Sequence, residues 1–192
     1  MEFLKMAIES PKYKVIKKDG RFELREYERF ITASVVVSSD SFNSAGNQGF
    51  GALADFIFGN NTASGSIAMT APVSTQKMES EKIAMTVPVD TKSLGPDRYL
   101  VSFTMPASYS LTSLPKPNNT DVKIKQFGSH KTAALKFAGY TQEDKILKKI
   151  TELKKWCRQN KLKTIGGAVV SRFDAPWKPG FLRHNEVSFN VE

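Results

Sequence analysis

His130 and His184 are the two histidines of the chain and Cys157 is its one cysteine, so acid–base, nucleophilic and imidazole-ligand chemistry has few places to start. Neither histidine stands at metal-ligand spacing from the other, and each falls near the end of an expected strand. A surface role is expected for His130. Cys157 lies on the apolar stripe of an expected helix, the setting of a buried structural thiol rather than a nucleophile. Met69 and Met85 alternate with apolar neighbours and read as packing residues rather than iron ligands. The chain contains no GxSxG, HExxH, Walker A, dinucleotide-binding glycine fingerprint, CxxC or CxxCH, the signatures of common catalytic and cofactor-attachment sites. Binding without catalysis is the expectation.

The stretch best suited to binding runs from Arg172 to Val187. Trp177, Phe181 and Leu182 lie around and beyond Pro176 and Pro179, with Lys178, Arg183 and His184 among them. Stiff apolar side chains beside positive charge suit a flat apolar ligand that carries carboxylates. A folding role is the other reading, in which Trp177 and Phe181 plug the end of a sheet.

The elements that must position this loop follow from periodicity. Phe22 to Tyr27 and Phe30 to Val37 read as a strand pair joined by Glu28-Arg29. Phe50, Leu53, Ala54, Ile57 and Phe58 recur at helical spacing before Gly59-Asn60-Asn61, which predicts a first helix over 44–58. Gly46, Gly49 and Gly51 weaken its first half by up to ~1 kcal/mol each, which close approach of another surface would justify. The segment 67–73, IAMTAPV, recurs sixteen residues later as IAMTVPV at 83–89. Paired strands are expected there, with Pro72 and Pro88 at an edge, a bulge or a strand end. A strand over Leu100 to Met105 precedes a loop through Leu114-Pro115-Lys116-Pro117.

The second half repeats this outline. Val122 to Phe127 and Lys131 to Phe137 read as another strand pair. A helix follows, capped at Thr141 with Asp144 three residues on, its stripe Ile146, Ile150, Leu153 and Cys157 running to about Gln159. Strands near 164–173 and 186–191 close the chain, with a loop over 174–184. This order predicts an α+β fold of mostly antiparallel strands, as two half-domains sharing one curved sheet.

At 192 residues, 40% of them hydrophobic and 24% charged, with mean hydropathy −0.33, one domain with a sizeable core is expected. No apolar run reaches the roughly 18 residues of a membrane span, and the opening MEFLKMAIES lacks an apolar leader core, so a cytoplasmic protein is expected. The single cysteine fits a reducing compartment. A net charge of +9 favours polyanions, but the densest lysines, between Lys145 and Lys163, fall along and just after the second helix as a solvated face, and no nucleic-acid motif accompanies them.

The doubled IAMTAPV and IAMTVPV, the segment Leu114-Pro115-Lys116-Pro117 and the ending APWKPGFLRHNEV together resemble the SOUL haem-binding family. The resemblance runs from Tyr13 to Val191, leaving 1–12 as an N-terminal extension and 13–192 as a single domain. It implies a twisted, barrel-like, mostly antiparallel sheet flanked by two helices, in two pseudo-repeated β-α-β-β halves. It also implies non-covalent binding of haem or another tetrapyrrole in a shallow apolar cleft beside the first helix, with Lys178 near a propionate. The expected contacts are Phe50, Leu53, Ala54, Ile57, Phe58, Trp177, Lys178, Phe181, Arg183 and His184. The chain departs from the family pattern at Gln48, Asp55 and Phe56, where a known member carries a basic residue, a methionine and a lysine. No histidine on the first helix offers an axial ligand, which leaves the metal ligand unassigned, with His184 as a candidate. A small-molecule sensor or protein-interaction module on the same scaffold, without haem, is the alternative.

Overall fold

The computed structural model describes residues 9–63, 80–175 and 177–192. Met69 and the first copy of the repeat, at 67–73, lie outside the described residues, as do residues 1–8 and Pro176. Eleven strands are described: β1 (Tyr13–Asp19), β2 (Phe22–Tyr27), β3 (Phe30–Ser38), β4 (Asn61–Thr62), β5 (Val89–Gly95), β6 (Arg98–Thr104), β7 (Lys116–Pro117), β8 (Lys123–Phe127), β9 (His130–Ala138), β10 (Thr164–Arg172) and β11 (His184–Val191). Helix α1 covers Phe42–Ile57 and α2 covers Glu143–Gln159. Neither helix is long and apolar enough to cross a membrane.

Nine strands form one antiparallel sheet in the order β1-β2-β9-β11-β10-β5-β6-β3-β8, and β4 and β7 pair separately. The fold is α+β, and its repeat is visible in the order: β3-α1-β5-β6 and β9-α2-β10-β11 give matching triplets that meet where β5 pairs with β10. Each helix covers its own triplet and closes its own core. Leu53, Phe56 and Ile57 of α1 pack on Val35, Val101 and Phe103; Ile146, Leu153, Trp156 and Cys157 of α2 pack on Leu135, Val187 and Phe189. The Cys157 thiol is fully buried there, which pushes it up to about 11, as expected for a structural cysteine.

Both expected strand pairs are corrected. β2 does not pair with β3 but with β9, and β8 does not pair with β9 but with β3. The strand that precedes each β-α-β-β unit therefore joins the sheet of the other unit. The links Glu28-Arg29 and Gly128-Ser129 allow only about 11 Å between the Cα atoms they connect, so the two ends of the sheet must curl toward each other. They meet through aromatic rings: Tyr27 lies 6.1 Å from Phe30 and 5.6 Å from His130, and His130 lies 5.7 Å from Phe30. The result is a half-barrel with the helices on its convex face and a cleft on its concave one.

Smaller differences concern ends. The first helix starts at Phe42, because the Ser41 hydroxyl accepts from the Ser44 amide. Gln142, not Thr141, is the N-cap of α2, and its side chain makes no capping bond. Glu143 instead accepts from the Phe42 amide of the other helix at 3.1 Å. The second repeat copy, at 83–89, enters the sheet only at Val89: Ile83 donates its amide to Ile57, and Pro88 stands at the strand end, where a missing N–H costs nothing. β1 escaped the sequence reading because every one of its residues is exposed, so no alternation marks it. Residues 9–12 are tied to the body through Glu9, whose carbonyl takes the Val87 amide, and Lys12, whose carbonyl takes the Glu28 amide.

Candidate functional site

Glycines decide which side of α1 meets the sheet. A Cβ on Gly46 would overlap the Arg172 guanidinium, and one on Gly49 would overlap Val101, so the close approach expected of this helix is to the protein's own sheet. Gly51 differs, because nothing lies within 4 Å of where its Cβ would be. It belongs to the outward stripe that also carries Phe50 and Phe58, 38% and 58% exposed, with Ala54 nearly buried between them. Leu53 and Ile57 point into the core, and Phe50, seven residues before Ile57, lies at the border between core and stripe, its ring edge-on to Phe103 at 5.4 Å. Gly51→Ala is expected to raise unfolding free energy by up to ~1 kcal/mol. Gly49→Ala is expected to lower it by ~1–3 kcal/mol through overpacking, both read by urea denaturation; equal effects would contradict these placements.

The late loop leaves β10 beside this stripe. Arg172 donates to Asn43 Oδ1 at 3.2 Å and to Asn47 Oδ1 at 3.3 Å, on the turns of α1 before Phe50. Burial pulls its pKa down, and no carboxylate among the described residues pairs with it. Arg172 is thus a partly desolvated cation with neutral partners. Beyond it, Trp177, Phe181 and Leu182 are 87%, 75% and 56% exposed, so they do not plug the sheet. The loop is held by polar contacts instead. Asp174 accepts from the His184 amide and from Lys178 Nζ at 2.6 Å, and Arg183 Nε donates to the Lys178 carbonyl at 2.8 Å. Burial alone raises the Asp174 carboxyl, but the bonds from Lys178 and His184 outweigh it and hold it below the usual carboxylate range. Gly180 sits against the ring of Tyr140, over which the Arg183 guanidinium lies at 5.3 Å.

Strand alternation separates these residues from His184. Arg172 faces α1, whereas Phe173 lies on the concave side with the His184 ring stacked on it, centroids 4.4 Å apart. His184 Nε2 is 3.0 Å from Glu186 Oε1. Glu186 also takes Arg25 NH1 at 2.6 Å and NH2 at 2.9 Å, and Arg25 Nε donates to Glu23 at 2.9 Å. Lys136 Nζ completes the cluster 2.7 Å from Glu23. Burial raises Glu186, but the hydrogen bonds from His184 and Arg25 outweigh it and bring it to about 2. The same concave face forms an open cleft of about 200 Å³ that Asp90 lines, its carboxylate held by the Ser171 hydroxyl at 2.5 Å.

Of the expected contacts, then, Phe58 lines an open stripe with Phe50 at its edge, Ala54 floors it, and Trp177, Lys178, Phe181 and Arg183 belong to the loop after Arg172, a loop that packs on Tyr140 through Gly180 and Arg183. Leu53 and Ile57 back the stripe from within, and His184 lies on the other face of the sheet. Sequence reasoning missed Arg172, whose signal was its place at the end of a strand entering the loop. Among the described residues no group of three His, Cys, Asp or Glu side chains could hold a metal ion.

Residues 8–190 match the SOUL heme-binding protein family. Heme-binding protein 1 of Xenopus laevis is 28% identical over 174 residues, covering 90% of this chain and 85% of that one. Among solved structures, the C-terminal domain of EcmrR aligns with a TM-score of 0.64 at 12% identity, over 94% of this chain and 98% of that chain. A hydrolase from Listeria innocua aligns with a TM-score of 0.57 at 8% identity, over 92% and 94%. At such identities these structures share the fold.

Proposed function

The chain belongs to the SOUL heme-binding protein family, and from that premise we propose that residues 13–192, as a single domain, bind haem or a related tetrapyrrole non-covalently on the outer face of α1. The observation that carries this reading is the open stripe of Phe50, Gly51, Ala54 and Phe58 beside Arg172, a cation without a carboxylate partner among the described residues. A flat macrocycle needs apolar contact that no side chain interrupts, and the missing Cβ of Gly51 leaves room for it. Its propionates need desolvated positive charge. Arg172 offers that charge directly, whereas Lys178 must share its own with Asp174. Trp177 and Phe181 supply the second apolar surface, with Arg183 at its rim.

This is a binding protein rather than an enzyme, in the cytoplasm. Haem would supply an iron centre and two carboxylates; the chain supplies apolar contact and counter-charge. A few hundred square ångströms buried at ~25 cal/mol per Å² gives several kcal/mol before association costs, which corresponds to roughly micromolar affinity.

Hemin added to the purified protein is expected to give a saturable one-to-one Soret shift. Phe50→Ala and Arg172→Gln should each weaken it about ten-fold, ~1.4 kcal/mol. Lys178→Ala should weaken it less, and His184→Ala should leave the spectrum unchanged. Undiminished affinity in both Phe50→Ala and Arg172→Gln would remove the α1 face as the site.

A further inference from the structure

The concave cleft is lined by chemistry of a different kind. Its walls are aromatic: Tyr27, Phe30, Phe127 and His130 at the seam where the sheet ends meet, and Phe173 where the late loop begins. Its charges nearly cancel by direct pairing. Glu23 is matched by Arg25 and Lys136, and Glu186 by Arg25, with His184 Nε2 within hydrogen-bond distance of it.

Asp90 is the exception. It lines the cleft, its carboxylate holds the Ser171 hydroxyl, and it has no cationic partner among the described residues. Lys92, two residues along the same strand, carries its ammonium against Gly166 instead and makes no ion pair with Asp90. A partly buried carboxylate without a counter-ion is costly to the fold, and aromatic faces attract cations when water is excluded. One ligand class satisfies both features. We infer that the concave cleft is a second binding site, separate from the α1 face, for a small aromatic cation whose charge is matched by Asp90 and whose ring lies among Tyr27, Phe30 and Phe173. The volume of about 200 Å³ suits one or two fused rings. Glu186 on β11 and Asp90 on β5, one strand apart across β10, disfavour an anion there, and a neutral ring of the same shape leaves Asp90 unmatched.

The probe is N-methylquinolinium, followed by isothermal titration calorimetry at pH 8, with neutral quinoline and anionic 2-naphthoate as controls. Saturable one-to-one binding of the cation is expected, at least ten-fold weaker binding of quinoline, and none of 2-naphthoate. Asp90→Asn should weaken the cation ten-fold or more without lowering the melting temperature, and Phe173→Leu should weaken it in a way that does not depend on Asp90→Asn folding. Phe50→Ala should bind the cation as the parent does, and hemin should not displace it. Absence of binding, equal binding of 2-naphthoate, undiminished affinity in Asp90→Asn or Phe173→Leu, or displacement by hemin would each overturn the inference.

Discussion

Replacing Arg25 with methionine is expected to lower the unfolding free energy by ~3–5 kcal/mol, the range found when one partner of a buried ion cluster is removed. The Arg25 side chain is 1% exposed and lies between Glu23 and Glu186, themselves 3% and 4% exposed. Methionine fills much of the volume but leaves Glu186 with His184 alone and Glu23 with Lys136 alone. Each carboxylate was desolvated on the strength of a guanidinium that bridges β2 to β11 across β9. The surface pair Lys148–Asp144, 76% and 69% exposed, makes the contrast: Lys148→Ala is expected to change stability by less than ~0.5 kcal/mol. Urea denaturation at pH 7 separates the two. A loss below ~1 kcal/mol in Arg25→Met would mean that the cluster is solvated and does not clamp the sheet.

The second large effect is on how stability depends on pH, where Asp90 and Glu186 act with opposite sign. Glu186 falls from 4.5 to about 2 in the folded protein. Its contribution is therefore complete above pH 4.5 and is lost as pH falls from there toward 2. Asp90 rises from 3.8 to about 7, chiefly through burial, against the Ser171 bond and with help from the charge of Glu186. The native state keeps a proton there that the unfolded chain releases, so stability declines as pH climbs from about 4 to 7 and stays lower above it. At about 1.36 kcal/mol per pH unit the decline from this group is at most ~4 kcal/mol. Lys92 and Arg25 are the cations lining or bordering the same cleft, and His184 stands beside Glu186 there. Asp90→Asn keeps an acceptor for Ser171 and removes the charge. It is expected to match the parent near pH 4 and to exceed it by roughly 2–4 kcal/mol at pH 8. An equal difference at the two pH values would show that Asp90 does not titrate in this range. A fold that is destabilised by a residue in its cleft is the pattern of a residue kept for binding.

Much of the scaffold was legible because it is local. Alternation located β2, β3, β8, β9, β10 and β11, and helical spacing located α1 and α2, since each pattern needs only its own segment to be read. Pairing is not local. Nothing within Phe22–Tyr27 or Phe30–Ser38 says that a two-residue link joins strands at opposite ends of a sheet, and the hairpin reading failed there for that reason. The site divided along the same line. The apolar residues of the first helix were identified together, but their division into an inner set, Leu53 and Ile57, an outer Phe58, and Phe50 at the border against Phe103 follows only once the sheet is in place. Period-two alternation likewise sends Arg172 toward α1 and Phe173 with His184 into the cleft, a division of neighbours that composition cannot express. Lys178 was visible as a charge but not its engagement by Asp174, which depends on the turn of the loop.

The most direct test of tetrapyrrole binding on the α1 face is an amide-resolved NMR titration of the 15N-labelled protein with hemin, whose ferric iron broadens nearby signals. The amides of Phe50, Gly51, Ala54 and Phe58, together with those of Arg172, Trp177, Lys178 and Phe181, are predicted to broaden first, while Thr132, Ser188 and Asn190 in the concave cleft stay sharp. Broadening centred on the cleft residues with α1 untouched, or no saturable broadening at all, would contradict it.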